Sequence, residues 1–157
     1  VNLIDPSTLD LSGTAISDEE LRNLIPQDHE FRMIDRVAHL DLENQVAVGI
    51  KEFDKDAWWG PGHIPGRPLL PGVLMVEGAA QIATVLLKNV AGWPVEGFVG
   101  FGGLDKVRFR GSVEPPCTLQ FVSCKGKISG RRMARFPAAA WCNGKQIMEM
   151  TLIGVLL

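Results

Sequence analysis

The sequence predicts an α+β fold in which an antiparallel sheet wraps around one long central helix. The longest helical segment, residues 73–89, is apolar on nearly every side, so most of its surface needs cover. Stretches with strand-like alternation lie before and after it, separated by tight-turn residues. Helices and hairpins are therefore segregated along the chain, and a curved sheet around the helix is the simplest way to cover it.

The composition indicates a globular domain with a sizeable core. The chain has 157 residues, 46% of them hydrophobic, and a formal net charge of -2, so no nucleic-acid partner is expected. The 3 cysteines form no Cys-x-x-Cys pair and have no metal-ligand spacing with the histidines, so no metal and no cofactor are expected. No secretory signal is visible, and reduced thiols suit a cytoplasmic protein.

The N-terminal residues divide into an arm and the start of the domain. Residues 1–16 are predicted to form an extended arm or a mobile tail, and residues 17–157 a single domain. Ser17 and Glu20 have the spacing of a capping box, which predicts a short helix that ends before Pro26.

Strands are predicted on both sides of the long helix. Residues 32–53 suit a hairpin with a turn near residues 41–44, with Val46, Val48 and Ile50 on one face. Later strands are expected around residues 106–110 and over 119–125. The last pair, 137–142 and 145–155, is joined by the hairpin signal Asn143-Gly144.

The loop before the long helix contains the most informative residues. Residues 60–72 include four glycines and four prolines, which predicts a stiff, irregular path around His63. A lone loop histidine is usually a surface residue, but so many special backbone residues indicate that its position matters. Gly72 lies at the predicted helix start, where an unpaired N–H can polarise a carbonyl.

The long helix has a row of polar residues, Glu77, Gln81, Thr84 and Lys88. Their spacings of four, three and four place them along one side. The row is either a solvent-facing stripe or a sign that Glu77 is a buried acid that can donate a proton. Periodicity leaves both interpretations open. The interrupted apolar stretch is not expected to span a membrane.

The segment from Gly62-His63-Ile64-Pro65-Gly66-Arg67-Pro68 through Pro71-Gly72-Val73 to Glu77-Gly78-Ala79-Ala80-Gln81 resembles the signature of the 3-hydroxyacyl-[acyl-carrier-protein] dehydratases of fatty-acid synthesis. That family has a glycine-histidine-aromatic-proline-glycine loop, a proline-glycine-valine helix start and a catalytic acid fourteen residues after the histidine, as Glu77 is after His63. The glutamate is similar to that of the broad-range members. Gly78 and Ile64 depart from the usual alanine and aromatic residue.

The resemblance implies a hotdog fold and a lyase that removes water from (3R)-3-hydroxyacyl thioesters. His63 is then the general base, Glu77 the general acid and Gly72 the carbonyl-binding donor. It also implies paired subunits that share the site, further assembly into hexamers in many members, and an acyl carrier protein as the partner that bears the substrate. A hotdog thioesterase and a non-catalytic acyl-binding paralogue are the alternatives.

Three basic residues are candidates for docking an acidic carrier. Lys106, Arg108 and Arg110 alternate along a predicted strand and so share one face. An ordinary solvated strand face explains them equally well.

Overall fold

The computed structural model describes residues 3–93 and 97–157, and a long helix forms the centre of its core. The helices are α1 (Asp18–Leu24), α2 (Gly60–His63) and α3 (Gly72–Ala91), with 3₁₀ turns at Pro6–Thr8 and His29–Phe31. The strands are β1 (Arg36–Asp41), β2 (Val46–Phe53), β3 (Val99–Phe109), β4 (Cys117–Cys124), β5 (Lys127–Ser129), β6 (Met133–Cys142) and β7 (Lys145–Leu156).

The strands form a single antiparallel sheet in the order β1-β2-β4-β6-β7-β3, and β5 pairs with the first residues of β6. Helix α3 packs against β2, β4, β6 and β7. Nine residues of α3, together with residues from these strands, are in the main buried cluster. The predicted α+β architecture, a sheet around one central helix, is confirmed, and it is the hotdog arrangement.

The sequence patterns of the first helix cap and of two hairpin turns predicted their positions correctly. Ser17 and Glu20 form the complete capping box at the start of α1. Asn143 and Gly144 both have positive φ, 49° and 70°, which is the backbone of the predicted two-residue hairpin turn. The turn between β1 and β2 is fixed by Asp41, whose carboxylate accepts hydrogen bonds from the backbone N–H and side-chain amide of Asn44.

Element boundaries differ from the prediction in several places: β6 begins at Met133 rather than Pro137, and the helical turn α2 lies within the predicted loop of residues 60–72. β1 begins at Arg36 rather than near residue 32, because the backbone N–H of Met33 bonds to a helix side chain instead of a strand. β3 begins at Val99, well before the predicted strand, and ends at Phe109. The short strand β5 was not predicted, since its three residues are too few to show alternation.

The N-terminal arm covers the part of the outer sheet face that β1, β2 and β4 form. Leu3, Ile4, Leu9 and Leu11 pack against a second buried cluster on β1, β2 and β4, which includes the predicted face of Val46, Val48 and Ile50. Ile16 pairs with Val37 beside β1. Residues 3–16 are thus a packed arm rather than a mobile tail, and both faces of β2 are buried.

Helix α3 is long and apolar enough to cross a membrane by length and composition alone, so this property does not test the prediction that it spans none. Its burial explains this composition, because 67% of its most apolar stretch is buried inside the molecule. A central helix surrounded by a sheet passes the same test as a membrane span.

Candidate active site

Gly72 begins α3 directly after Pro71, so its backbone N–H belongs to the first turn, where helical geometry supplies no partner. The ring of Phe109 lies over this position. A Cβ at residue 72 would be 2.8 Å from the Phe109 ring, closer than packed carbon atoms approach. A side chain at residue 72 would therefore have to displace the Phe109 ring where the helix start meets the end of β3, and the helix dipole leaves positive charge at this N–H.

His63 is the last residue of the single helical turn α2, where its backbone N–H donates to the carbonyl of Trp59 at 2.9 Å. Its Nδ1 lies 2.7 Å from the carbonyl oxygen of Leu69. A carbonyl can only accept, so Nδ1 carries the hydrogen and Nε2 of the neutral ring has the lone pair. The loop therefore fixes the tautomer that a general base needs.

Glu77 lies in the second turn of α3 and is half-buried. Its Oε1 accepts a hydrogen bond of 2.8 Å from Nε2 of Gln81, one helical turn further on. Gln81 is 1% exposed and Lys88 is 8% exposed, so the interpretation of the row as a solvent-facing stripe is wrong. The row instead lies partly within the core, with its carboxylate nearest the helix start.

Gln81 also binds the chain that precedes β1. Its Nε2 donates to the carbonyl of Phe31 at 2.7 Å, and its Oε1 accepts from the N–H of Met33 at 2.9 Å. All of its donors and one acceptor lone pair are therefore used. Sequence reasoning placed Gln81 in the polar row but gave it no role, although the spacing of four residues from Glu77 was the available signal.

Ion pairs on the surface hold the turn of residues 28–33, the segment before β1 that Gln81 binds. Arg32, 11% exposed in its side chain, lies 2.5 Å from the carboxylate of Asp18 and 3.8 Å from that of Asp28. Arg22 also pairs with both carboxylates, at 3.3 Å and 3.1 Å. This network connects α1 to residues 28–32, so the Phe31 carbonyl that binds Gln81 is anchored on both sides.

Gly78, next to Glu77, is required by packing. A Cβ at this position would lie 2.3 Å from the ring of Phe121, which is fully buried on β4. Gly78 stands where the family usually has alanine. The Phe121 ring occupies the space that the alanine methyl group would take.

His63 and Glu77 are not joined within the part of the chain that the structure describes. The hydrogen-bond partners found for them are Leu69 and Gln81 respectively. The loop residues 61–68 around His63 are all exposed. One chain therefore holds the two candidate groups in separate surroundings.

The free edge of the sheet is apolar on its inner side. Leu104 pairs with Leu152 and Phe109 with Met148, and both partners face the core, so Leu104 and Phe109 point toward the helix side. Phe109 is nevertheless 54% exposed, and Val73 at the helix start is 73% exposed. The edge strand β3 and the start of α3 thus border an uncovered apolar trough.

The three carrier-docking candidates are all exposed but are not equivalent. A β-bulge interrupts the strand between Asp105 and Arg108, and Lys106 has a φ of 54°, so the predicted regular alternation is broken. Arg110 follows the end of β3 and forms an ion pair with Glu149, and this hydrogen bond lowers the pKa of the Glu149 carboxyl. Lys106 borders a groove of about 290 Å³ with Lys125, Lys127 and Arg135.

The cysteines do not suit nucleophilic chemistry. Burial raises the pKa of the Cys117 thiol to about 11, and burial also raises the pKa of Cys142. At neutral pH both are thiols, which are poor nucleophiles. Within residues 3–93 and 97–157, no group of three or more His, Cys, Asp or Glu side chains could hold a metal ion.

The sequence of the chain matches a known protein family. The sequence model of the FabA-like domain matches residues 25–151, most of the chain. The chain belongs to the FabA-like family. The 3-hydroxyacyl-[acyl-carrier-protein] dehydratase FabZ of Syntrophomonas wolfei is 31% identical over 141 residues, which cover 86% of this chain and 96% of that protein. The resemblance seen in the sequence is confirmed.

A second relative is longer. The bifunctional enzyme LpxC/FabZ of Chlorobaculum tepidum is 30% identical over 146 residues, or 93% of this chain. The match spans 31% of that enzyme, so the FabA-like chain corresponds to about a third of its length.

Solved structures share the fold at low sequence identity. The dehydratase heterocomplex ApeI:P from Xenorhabdus doucetiae superposes with a TM-score of 0.67 at 15% identity, covering 87% of this chain and 90% of that one. Cj0977, a virulence protein from Campylobacter jejuni, gives 0.63 at 12% identity and covers 95% and 96%. The PaaI protein of Thermus thermophilus, from phenylacetic acid degradation, gives 0.57 at 15% identity over 78% and 92%. At 15% identity or below, these likenesses establish the hotdog fold alone.

Proposed function

We propose that this FabA-like protein dehydrates (3R)-3-hydroxyacyl thioesters to trans-2-enoyl thioesters in fatty-acid synthesis, on an acyl carrier protein in the cytoplasm. The observation that carries the proposal is the state of His63. Its Nδ1–H is held by the carbonyl of Leu69, so Nε2 is available as a base. The FabZ relative of Syntrophomonas wolfei supports the reaction and the carrier.

The proposed mechanism assigns one task to each group. The Gly72 N–H donates to the thioester carbonyl and stabilises the negative charge that develops there. Nε2 of His63 removes the proton from the carbon next to this carbonyl. Glu77 donates a proton to the departing 3-hydroxyl, which leaves as water, while the double bond forms. The carboxylate produced on Glu77 keeps its hydrogen bond from Gln81.

We further propose that two subunits complete the site. β3 pairs with β7 on one side, so its other edge has unpaired backbone groups next to the apolar trough of Val73, Leu104 and Phe109. Pairing of two such edges would cover the trough and bring His63 of one subunit to Glu77 of its partner. The acyl chain would then lie in the covered trough. Dimers of this kind can associate further into hexamers.

The decisive assay follows the conjugated enoyl thioester by its absorbance. Hydration of crotonyl thioester should remove the absorbance, and dehydration of 3-hydroxybutyryl thioester should create it. Release of a thiol instead of a change in conjugation would indicate a thioesterase. Absence of both reactions with carrier-bound and coenzyme A substrates of several chain lengths would leave the non-catalytic paralogue as the better interpretation.

Carrier docking is proposed for the exposed basic residues Lys106 and Arg108 of β3 and Arg110 just after it. The variant Lys106/Arg108/Arg110→Glu should lower kcat/KM for acyl-carrier substrates several-fold and affect coenzyme A substrates much less, because these lack an acidic protein surface. Salt should reproduce the loss, since exposed charges are screened within about 10 Å at 0.1 M. Equal losses on both substrates would indicate a damaged fold instead.

A further inference from the structure

The side-chain amide of Gln81 has a fixed orientation because its surroundings accept a single arrangement. The Met33 N–H can only donate, so it requires the amide oxygen of Gln81. The Phe31 carbonyl can only accept, so it requires the amide nitrogen. The second hydrogen on this nitrogen points to Oε1 of Glu77 at 2.8 Å.

This orientation determines the role of each Glu77 oxygen. Oε1 faces an N–H donor, and a carbonyl oxygen accepts more strongly than a hydroxyl oxygen, so the Gln81 bond favours Oε1 as the carbonyl oxygen of the neutral acid. The neutral acid therefore carries its hydrogen on Oε2. When that proton leaves, the carboxylate still accepts the Gln81 bond, which becomes charge-assisted and stronger.

We propose that Gln81 is a positioning residue that fixes the transferable proton of Glu77 on Oε2 and connects the acid to the turn of residues 28–33. The inference rests on the proposed function of Glu77 as general acid. Gln81 does not touch substrate in this proposal. It acts through Glu77, because it is 1% exposed and its donors are fully used by Phe31 and Glu77.

The first test separates turnover from binding. Gln81→Met removes all three hydrogen bonds at nearly constant volume, and we expect kcat to fall about 10- to 100-fold, since misplaced reacting groups cost up to about 100-fold. KM should stay within about twofold, because the remote part of the substrate is bound elsewhere. Asn89→Ala is the matched control. It removes another side-chain amide on α3, bonded to the Val85 carbonyl at 2.8 Å, and should leave kcat unchanged.

The second test separates an effect on Glu77 from an effect on the turn. Arg32→Leu removes the ion pairs to Asp18 and Asp28 but leaves the Gln81 bonds in place. If Gln81 acted only by holding the turn, Arg32→Leu and Gln81→Met would lower kcat equally. The proposal expects the loss in Gln81→Met alone.

The third test is a double-mutant cycle with Glu77→Gln. The new amide can still offer an oxygen to Gln81, but it has no transferable proton. In this background Gln81→Met should change the residual kcat by less than about twofold, because its effect passes through Glu77. A full 10- to 100-fold loss in both backgrounds would overturn the proposal. A Glu77→Gln enzyme with wild-type turnover would instead overturn the proposed function.

Folding of the variants is checked by circular dichroism and denaturant unfolding. If Gln81→Met does not fold, Gln81→Asn keeps the amide but shortens the side chain by one methylene, so it cannot reach both Phe31 and Glu77. We expect a folded Gln81→Asn enzyme to show a reduced kcat as well. A folded variant at residue 81 with wild-type kcat would overturn the proposal.

Discussion

The His63 loop and the Glu77 turn of α3 are two halves of one proposed site, yet they are built differently. The loop residues 61–68 are exposed, and His63 is oriented by one backbone carbonyl. Glu77 is oriented by a buried amide that is itself bonded to two backbone groups of another segment. The base is thus placed by backbone conformation, while the acid is placed by side-chain contacts within the core. The two halves should respond differently to substitution.

The largest effect is expected when either reacting group is removed. His63→Ala and Glu77→Gln should each lower kcat/KM for dehydration by about 10²–10⁴-fold, the usual contribution of a proton-transfer group. Both variants should keep the wild-type circular dichroism spectrum. His39→Ala, a half-buried histidine on β1 outside the site, is the matched control and should keep its activity. Near-normal turnover in either site variant would contradict the assignment.

Mixing the two inactive variants tests whether the halves come from different subunits. In a random 1:1 mixture, half of the dimers are heterodimers, and each of these has one intact site out of two, so activity should return to about a quarter of wild type. The measurement is dehydration after the mixture is allowed to exchange subunits, with molar mass from light scattering. An active monomer would show that one chain suffices.

The stability of the half of the site that contains Glu77, the acid side, should be sensitive to core packing. Gly78→Ala puts a methyl group 2.3 Å from the Phe121 ring, and this overpacking should destabilise the fold by about 1–3 kcal/mol. Urea unfolding measures the loss. In the double variant Gly78→Ala/Phe121→Leu the two losses should be clearly less than additive, because the smaller side chain makes room. Additive losses would mean that the ring is not what excludes the methyl group.

The stability of the half that contains the His63 loop, the base side, should instead be sensitive to backbone conformation. Gly66 has a φ of 80° and no atom near its missing Cβ, so Gly66→Ala should cost about 1–2 kcal/mol from backbone strain alone. Gly62 is equally open but has no positive φ. Gly62→Ala in the same loop is therefore the control and should be tolerated. Comparison of kcat/KM and unfolding for the two variants tests this difference.

The smallest effect is expected at the edge of the acid side. Ser17→Ala removes the capping box of α1, whose Asp18 pairs with Arg32, and should destabilise the protein by about 1 kcal/mol. Thermal unfolding measures this change. Turnover should stay at the wild-type value, because the Gln81 bonds do not depend on Ser17. A loss of kcat would show that the turn is held less firmly than the contacts indicate.

Signals carried by neighbouring residues were predictable from the sequence. Some features depend only on a few adjacent residues of special type, and the local sequence pattern predicted them. These are the capping box, the Asn143-Gly144 turn and the helix start at Gly72. The spacing of His63, Gly72 and Glu77 also appears within one segment, and the FabA-like family confirms the resemblance that it indicated.

Contacts between distant segments were not predictable. The role of Gln81 depends on Phe31 and Met33, about fifty residues earlier, and no periodicity within α3 contains that information. The alternation of Val46, Val48 and Ile50 predicted that they share one face of a strand. That the N-terminal arm covers this face depends on contacts between distant segments, which the local sequence pattern does not contain. The bulge at Lys106 likewise arises from pairing with β7. The catalytic roles and the carrier surface stay predictions until the assays are done.

The covering of β2 has a consequence for slow motions of the chain. This strand is paired on both sides, by β1 and β4, and its faces are closed by the arm outside and by Ile34 and Ile82 over Gly49 inside. Its amide hydrogens can reach solvent deuterium only through large openings, so their exchange should report the free energy of global unfolding. The unpaired edge of β3 should exchange through small local openings many orders of magnitude faster, and pairing with a second subunit should slow it. A deuterium-uptake gradient across the sheet would therefore mark both the last structure to unfold and the edge at which subunits meet.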